Sequence, residues 1–219
     1  IILDQDLTVE KLARFKVLVL ADAACLTPEA ASAVREFVRK GGNLLASYEA
    51  GLYDDRGEAT TALFELLGIR RVEGAFPVYR GENYVRGMAD HWGIQEGRLL
   101  DRAGQALKVL AAEGVETPSQ FLEPLDRPYV PLQGVSEYPA LLIHRYGQGQ
   151  VVYFPEAMGA FVGENRMPSA EMRIGKAIDR LLADPLMTVE APRTVAADIY
   201  RLKGTSRIAV HLVNNTVDS

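Results

Sequence analysis

The chain has 219 residues, 48% hydrophobic and 24% charged, which is the composition of an ordinary globular protein with one sizeable core and a small appendage. A net charge of −5 and a pI near 5.3 disfavour an electrostatic nucleic-acid binder, since such proteins concentrate lysine and arginine on one face. No apolar run reaches the length of a membrane span, so no membrane partner is predicted.

The single cysteine and the two chain ends carry further information. Because Cys25 is the single cysteine of the sequence, an intrachain disulfide and any zinc site built from several cysteines are excluded. It leaves the compartment open, with the cytoplasm preferred. The chain starts at Ile1 with neither an initiator methionine nor a signal sequence, and it stops at Ser219 just after an apolar alternating run. We therefore expect a domain excised from a longer protein.

The first part of the chain predicts a β-strand, an α-helix and a second β-strand. Residues 16–20 form a continuous apolar run, typical of a strand buried on both faces of a parallel sheet. Thr27 is a suitable helix N-cap, and the glycines at 41–42 end the helix that follows. Residues 44–47 predict the second buried strand. The stretch therefore forms a βαβ unit.

The neighbouring segments give weaker signals. Residues 1–3 are expected to end an earlier strand, and residues 9–13 to form a short helix. Residues 60–67 predict a helix that Gly68 stops. From 70 to 136 the sequence mixes glycine, proline and aromatic residues, which predicts strands joined by long loops.

Regular patterns return at residue 140. Residues 141–146 and 150–154 flank a glycine turn and predict a β-hairpin. Residues 169–183 predict an amphipathic helix. After this helix the apolar period changes from 3.6 to 2, and residues 197–202 and 207–213 predict a second hairpin.

Together these elements predict an α/β fold with a short C-terminal all-β segment. The sheet is expected to be open, mostly parallel and flavodoxin-like or amidotransferase-like, with helices on its flanks. We place a domain boundary near residue 187. Residues 1–187 would form a class I glutamine-amidotransferase-like domain, and residues 188–219 the start of a small β-sandwich.

Ligands of an open parallel sheet bind beyond the carboxyl ends of its strands. The segment after the second strand stands where a nucleophile elbow would lie, but Tyr48 or Glu49 occupies the tip, where acyl transfer needs serine or cysteine. Asp22, Tyr48, Glu49 and Asp54 are therefore candidates for lining a polar crevice that holds a hydroxyl-rich ligand. The alternative interpretation is that they cap and tether the loop.

Two further candidates come from the rest of the chain. Glu156 follows the strand at 150–154 in a Phe-Pro-Glu string, where phenylalanine replaces the histidine of a His-Pro-Glu base. Trp92, with Asp90 beside it, belongs to a polar-aromatic cluster that either stacks on a sugar ring, anchors its loop or lies at a subunit contact. Cys25 lies past the first strand and is expected to be a packed, inert thiol.

No metal or cofactor is predicted. His91, His144 and His211 lack metal-ligand spacing, and the two strand histidines suit structural roles. Neither G-x-G-x-x-G after a strand nor a P-loop motif occurs, so no phosphate-binding loop is expected. No pairing of carboxylates for glycosidase chemistry follows from the sequence alone.

Several segments together resemble a known family. Residues 4–8, 16–26 and 37–49, the hairpin at 146–155 and residues 210–216 are similar to the trimerisation domain of family 42 β-galactosidases and the small β-domain after it. The resemblance implies a fold related to glutamine amidotransferases, without their catalytic triad, that contributes to oligomer contacts. It also implies an upstream catalytic barrel that carries the active-site carboxylates, so no catalytic residue is assigned to this chain.

The favoured hypothesis is a non-catalytic accessory or oligomerisation domain of a glycoside hydrolase of the β-galactosidase type. One alternative is a divergent hydrolase of the amidotransferase superfamily that uses Cys25 or Glu49. The other is a carbohydrate-binding module that uses Tyr48, Glu49 and Trp92. The expected partners are other copies of the parent protein, the upstream barrel and carbohydrate.

Overall fold

The computed structural model describes residues 7–77, 83–125, 127, 129–165, 167–192 and 194–215. The strand expected at residues 1–3 lies outside the described residues. The chain forms two compact units that divide after Leu182, and the first unit holds the main sheet.

The elements of the first unit are short apart from two helices and one long strand. The helices are α1 (Val9–Leu12), α2 (Pro28–Arg39), α3 (Phe64–Leu67), α4 (Met158–Asn165) and α5 (Pro168–Leu181). The strands are β1 (Val17–Ala21), β2 (Asn43–Ser47), β3 (Ile69–Ala75), β4 (Tyr84–Gly87), β5 (Leu99–Asp101), β6 (Leu107–Ala111), β7 (Glu116–Leu122), β8 (Val135–Tyr146) and β9 (Gly149–Phe154).

The predicted βαβ unit is confirmed. The Thr27 hydroxyl accepts a hydrogen bond from the Ala30 N–H at 3.1 Å, and Pro28 takes the first helical position. Val34 and Val38 of α2 have no exposed surface and pack in the core against β1 and β2. β1 and β2 then pair in parallel, with Val19 opposite Leu45.

The main sheet has seven strands in the order β1-β2-β9-β8-β7-β4-β5. The first three strands are parallel, but every later neighbour pair is antiparallel. The prediction of a mostly parallel sheet is therefore wrong, and the sheet is mixed. A parallel neighbour needs a crossover of a dozen or more residues, usually a helix. Within the described part of the chain between β2 and β8 the one helix is the four-residue α3.

Within the described residues β1 pairs with a strand on one side only, and its exposure corrects a second expectation. Leu18 and Leu20 are buried on one face, but the Val19 side chain on the other face is 50% exposed. An apolar run of five residues looks the same in an edge strand and a central strand, because the run does not record whether a helix covers the second face.

The hairpin around Gly147 is confirmed and is held tightly against the end of α2. β8 and β9 pair antiparallel from Leu142 and Tyr153 to Tyr146 and Gly149. A Cβ added at Gly149 would lie 2.0 Å from the Gly42 carbonyl oxygen, so only glycine allows this close approach of two backbone segments. The contact joins β9 to the loop that opens β2.

The other helices match the predictions unevenly. The helix expected at 169–183 is α5, and that at 9–13 is α1. The helix expected at 60–67 is reduced to α3, which ends at Gly68 in the left-handed conformation. α4 was not predicted. Its Gly159 and Gly163 weaken the helical signal, although Met158 and Phe161 are buried in the core.

The second unit contains a hairpin of β10 (Val195–Arg201) and β11 (Ile208–Asn214), which confirms the predicted alternating strands. The strands pair antiparallel from Val195 and Asn214 to Arg201 and Ile208. The assignment of residues 188–219 to a β-sandwich stays a prediction. No helix in the described residues is long and apolar enough to cross a membrane.

Candidate functional site

The carboxyl ends of β1 and β2 bring together five side chains, which we call the strand-end cluster. Its members are Asp22, Ser47, Tyr48, Glu49 and Tyr53. The Ser47 hydroxyl donates a 2.6 Å hydrogen bond to the Asp22 carboxylate. The Tyr53 hydroxyl donates a longer one, at 3.4 Å, to the Glu49 carboxylate. The sequence predicted that Asp22, Tyr48 and Glu49 lie at this edge, and the structure brings them together.

Tyr48 has the backbone of an elbow residue. Its φ of 51° lies in the left-handed region, and Asp22 at the end of β1 has a φ of 54°. Residues other than glycine adopt this region at a cost of about 1 kcal/mol or more. A positive φ directly after a strand is one feature of a nucleophile elbow, but residues 48–63 form no helix after the turn, and a phenol occupies its tip.

Three hydrogen bonds hold the turn at Tyr48 in place. The Tyr48 N–H donates to the Phe154 carbonyl at 2.8 Å, and the buried Tyr153 hydroxyl donates to the Tyr48 carbonyl at 2.6 Å. Further along the turn, the Gly51 N–H donates to the Ala23 carbonyl at 2.9 Å. These bonds tie the loop after β2 both to β9 and to the loop after β1.

The electrostatics of the cluster keep its phenols protonated. Burial raises the pKa of Tyr48, and the Glu49 carboxylate raises it further. The same carboxylate is the main cause of the raised pKa of Tyr53. A protonated phenol is a poor nucleophile, so the cluster offers hydrogen-bond donors and acceptors but no activated nucleophile.

The other two elbow-region candidates have structural surroundings. The Asp54 carboxylate accepts hydrogen bonds from the Arg56 and Glu58 N–H groups, both at 2.9 Å, which is the pattern of a side-chain-capped turn. Cys25 is exposed and forms a single backbone bridge with Tyr53. The expectation of a packed cysteine is wrong. No hydrogen bond among the described residues joins it to a histidine.

Glu156 lies away from the strand-end cluster. Together with Arg102 and Arg173 it forms a buried group that we call the buried arginine cluster. Glu156 has no exposed surface, and its carboxylate accepts hydrogen bonds from the Ala103 N–H at 2.8 Å and from the Arg173 guanidinium. In the structure, this engagement and the lack of exposed surface give Glu156 a structural role. No local sequence signal predicts this cluster, because its three members come from separate segments of the chain.

Arg102 is the unusual member of this cluster. Only 5% of its surface is exposed, and none of its three guanidinium nitrogens has a hydrogen-bond partner. The group lies over the Phe76 ring, 4.8 Å from the centroid, in a cation–π contact. Burial lowers the pKa of Arg102, and the negative charge of Glu156 opposes that shift.

Trp92 lies in neither cluster. It is the first residue of a two-residue turn between β4 and β5, and it lines a cavity of about 530 Å³ with Asp90, Glu116 and Arg180. We call this cavity the Trp92 cleft. The sequence signal of adjacent aromatic and acidic residues found Trp92 and Asp90, but not their distant neighbours in the cleft. Within the described residues no three His, Cys, Asp or Glu side chains could hold a metal ion together.

Known proteins match the chain by structure more clearly than by sequence. No protein-family model matches it. Gan42B, a GH42 β-galactosidase from G. stearothermophilus, superposes with a TM-score of 0.67 at 20% identity, over 94% of this chain and 27% of its own. The β-galactosidase of Bacillus circulans sp. alkalophilus gives 0.69 at 19% identity, over 94% of this chain and 28% of its own. The chain has the fold of a domain of GH42 β-galactosidases.

Two further relatives limit what this structural likeness says about function. The β-galactosidase BbgII of Bifidobacterium bifidum is 27% identical over 144 residues, which are 64% of this chain and 19% of that protein. An α-L-fucosidase isoenzyme from Paenibacillus thiaminolyticus shares the fold with a TM-score of 0.67 at 17% identity, over 90% of this chain and 30% of its own. The chain therefore spans less than a third of the length of these relatives, and its fold accompanies more than one glycosidase activity.

The buried arginine cluster yields a stability prediction with a matched control. Arg173→Met removes the hydrogen-bonded cation of a buried carboxylate and should cost about 3–5 kcal/mol in the free energy of unfolding. Arg102→Met removes a cation without a hydrogen bond and should change that free energy by about 1 kcal/mol or less. Urea unfolding of the two variants measures both values. Equal losses would show that Arg102, too, is a required partner of Glu156.

Proposed function

We propose that the chain is a non-catalytic accessory domain of a glycoside hydrolase of the β-galactosidase type, acting in carbohydrate metabolism. The structural likeness covers nearly all of this chain but less than a third of the two solved GH42 β-galactosidases. In this proposal a separate domain, the upstream barrel expected from the sequence, carries the chemistry. This chain then supports oligomer contacts.

The observation that carries the proposal is the closed elbow after β2. Its strained backbone persists, but Tyr48 stands at the tip, and hydrogen bonds to Phe154 and Tyr153 secure the turn. Acyl transfer needs a nucleophile with a base in hydrogen-bond reach. Cys25 has no histidine partner among the described residues, which disfavours the alternative of a divergent amidotransferase-superfamily hydrolase.

The finer description of the fold belongs to the same proposal. We take the three parallel strands β1, β2 and β9, with α2, as the part related to class I glutamine amidotransferases. The antiparallel strands β4, β5, β7 and β8 would be an addition to that core. The β10–β11 hairpin would open a small β-sandwich domain.

Oligomer contacts would fit the free edge of the main sheet. Within the described residues β1 pairs on one side only, and Val19 and Phe15 beside that edge are 50% and 43% exposed. An edge strand with exposed apolar side chains is a surface on which a second chain can pair or pack. This surface supports the oligomerisation role, with a second copy of the parent protein as the partner.

Carbohydrate binding at the strand-end cluster is a second candidate function. Asp22, Tyr48 and Glu49 are half-buried, and they present carboxylates and a protonated phenol at the edge of the sheet where ligands of parallel sheets bind. Such groups can accept and donate hydrogen bonds to sugar hydroxyls. This role is compatible with a non-catalytic domain that forms one wall of a neighbouring sugar site.

The catalytic part of the proposal is tested with chromogenic galactosides. The 219-residue chain alone should release no chromophore above the buffer rate, because the strand-end cluster offers no activated nucleophile. The full-length parent protein is the positive control and should hydrolyse the same compounds. Turnover by the isolated chain that disappears in Cys25→Ser or Glu49→Gln would contradict the proposal and favour the hydrolase alternative.

The oligomerisation part is tested at Val19. Val19→Lys places a charge on the apolar edge and should shift the parent protein toward monomer, as measured by sedimentation velocity over a range of concentrations. Leu99→Lys is the matched control, since Leu99 is 39% exposed on β5 at the opposite edge of the sheet, and it should leave the association unchanged. Identical sedimentation of the wild type and Val19→Lys would exclude this edge as the contact.

A further inference from the structure

The Trp92 cleft is a concave site of the size that small ligands occupy. Its volume of about 530 Å³ lies within the range of about 300–1,000 Å³ typical of ligand pockets. An adjoining cavity of about 250 Å³ shares Glu116, Ile143 and Arg180 with it, so the two form one trough over the β7–β8 part of the sheet. The trough has room for more than one sugar-sized unit.

An aromatic side chain in an unusual backbone conformation forms one wall of this cleft. His91 and Ile94 exchange backbone hydrogen bonds of 3.0 and 2.7 Å across the two-residue turn Trp92-Gly93. Both turn residues have positive φ, 50° and 77°, which is the geometry of a type I′ turn. Asparagine, aspartate or glycine normally occupies the first position, so a tryptophan there is strained, as residues at binding sites often are.

The packing of Trp92 fixes the ring without covering it. The side chain is half-buried against the core cluster that contains Phe154 and Phe161, and the His91 ring lies 5.7 Å from it at an angle of 60°. The His91 ring is itself held by the Ala89 carbonyl at 2.9 Å. A rigid aromatic face that remains partly open on a cleft is a stacking platform that loses little entropy on binding.

The polar groups around the platform carry charges of both signs. Asp90 is oriented by the Glu96 N–H at 2.7 Å. Glu116 and Arg180 also line the cleft and are exposed, and no hydrogen bond or ion pair among the described residues occupies either of them. A strongly charged ligand meets both attraction and repulsion here. A neutral ligand rich in hydroxyl groups can donate to the carboxylates and accept from the guanidinium.

We propose that the Trp92 cleft binds a neutral saccharide of one to three units, with a pyranose ring stacked on Trp92 and its hydroxyls bound by Asp90, Glu116 and Arg180. The cleft is separate from the strand-end cluster, since none of the cluster residues lines it. The proposal does not depend on the parent protein being a β-galactosidase. Hydrolysis and binding in the cleft are measured separately, so either idea can fail alone.

The test uses the fact that Trp92 is the only tryptophan in the chain. Its fluorescence therefore reports on the cleft alone. Titration of the full chain with lactose and maltotriose should give a saturable change in emission, and the bound sugar should protect the indole from acrylamide quenching. Glucuronic acid, the charged probe, should give neither effect. The absence of a saturable change with both neutral sugars would overturn the proposal.

Variants separate binding from folding. Trp92→Asn suits a type I′ turn but loses the packing of the indole against the core cluster, so its unfolding midpoint is measured first, and calorimetry of the folded variant should show a loss of lactose affinity of about tenfold or more. Glu116→Gln should weaken binding by several-fold, and this variant decides the matter if Trp92→Asn fails to fold. Lys176→Gln, which removes a positive charge from α5 outside the cleft, should bind like the wild type.

Two calorimetric results would contradict the proposal. One is unchanged affinity in both Trp92→Asn and Glu116→Gln. The other is loss of affinity in Tyr48→Phe with retention in Trp92→Asn, which would place the sugar at the strand-end cluster instead.

Discussion

The hydrogen bonds that close the end of β2 are the constraint on which the rest of the first unit depends. The Tyr48 N–H bonds to the Phe154 carbonyl of β9, and the Tyr153 hydroxyl bonds to the Tyr48 carbonyl. Tyr153 and Phe154 are buried, so loss of either bond would leave a buried polar group unsatisfied at about 1–3 kcal/mol. They hold β2 and β9 in parallel register and keep a tyrosine in a left-handed conformation. The turn shares the positive φ of a nucleophile elbow but presents a phenol at that position, and its backbone polar groups hold the turn in place.

The residues with a strained backbone differ in whether they border a cleft, and we use this difference to assign their roles. Asp22 and Tyr48 have positive φ at the strand ends, and Trp92 has it at a hairpin turn. The first two belong to a network of hydrogen bonds within the protein, while Trp92 borders a cleft that the exposed side chains of Glu116 and Arg180 also line. Backbone strain that internal hydrogen bonds offset indicates a structural role for the residue. Backbone strain at a residue that borders an open cleft indicates a binding role.

The sequence predicted those parts of the fold that local signals specify. Thr27, Pro28 and the glycines after α2 mark that helix, and the glycine turn at residue 147 marks the β8–β9 hairpin. Local signals could not predict the order of the strands in the sheet. The antiparallel pairing of β4, β5 and β7 joins residues that are far apart in the sequence, and the pairing along β7 contains several register shifts. The exposure of Val19 was missed for the same reason. It depends on what covers a strand, and neighbouring residues do not encode that.

In the candidate site, too, local sequence signals predicted some features, while tertiary packing decides the others. Asp22, Tyr48 and Glu49 were found because two parallel strands end side by side, a consequence of the βαβ unit. The ion pair of Glu156 with Arg173 was not predicted, since it arises from a helix that the sequence placed but did not orient. Glu116 and Arg180 were not considered at all, because only tertiary packing brings them to Trp92.

Native-state hydrogen exchange at the elbow tests the central claim, that the turn after β2 is a locked structural element. The amides of Tyr48, Gly51 and Tyr53 all donate hydrogen bonds within the first unit. The account predicts that they exchange with the same opening free energy as the amide of Leu45 in β2, by global unfolding. Mobile active-site and ligand-binding loops open locally at far lower free energy. Exchange of these three amides at close to the unprotected rate, with Leu45 still protected, would contradict the account.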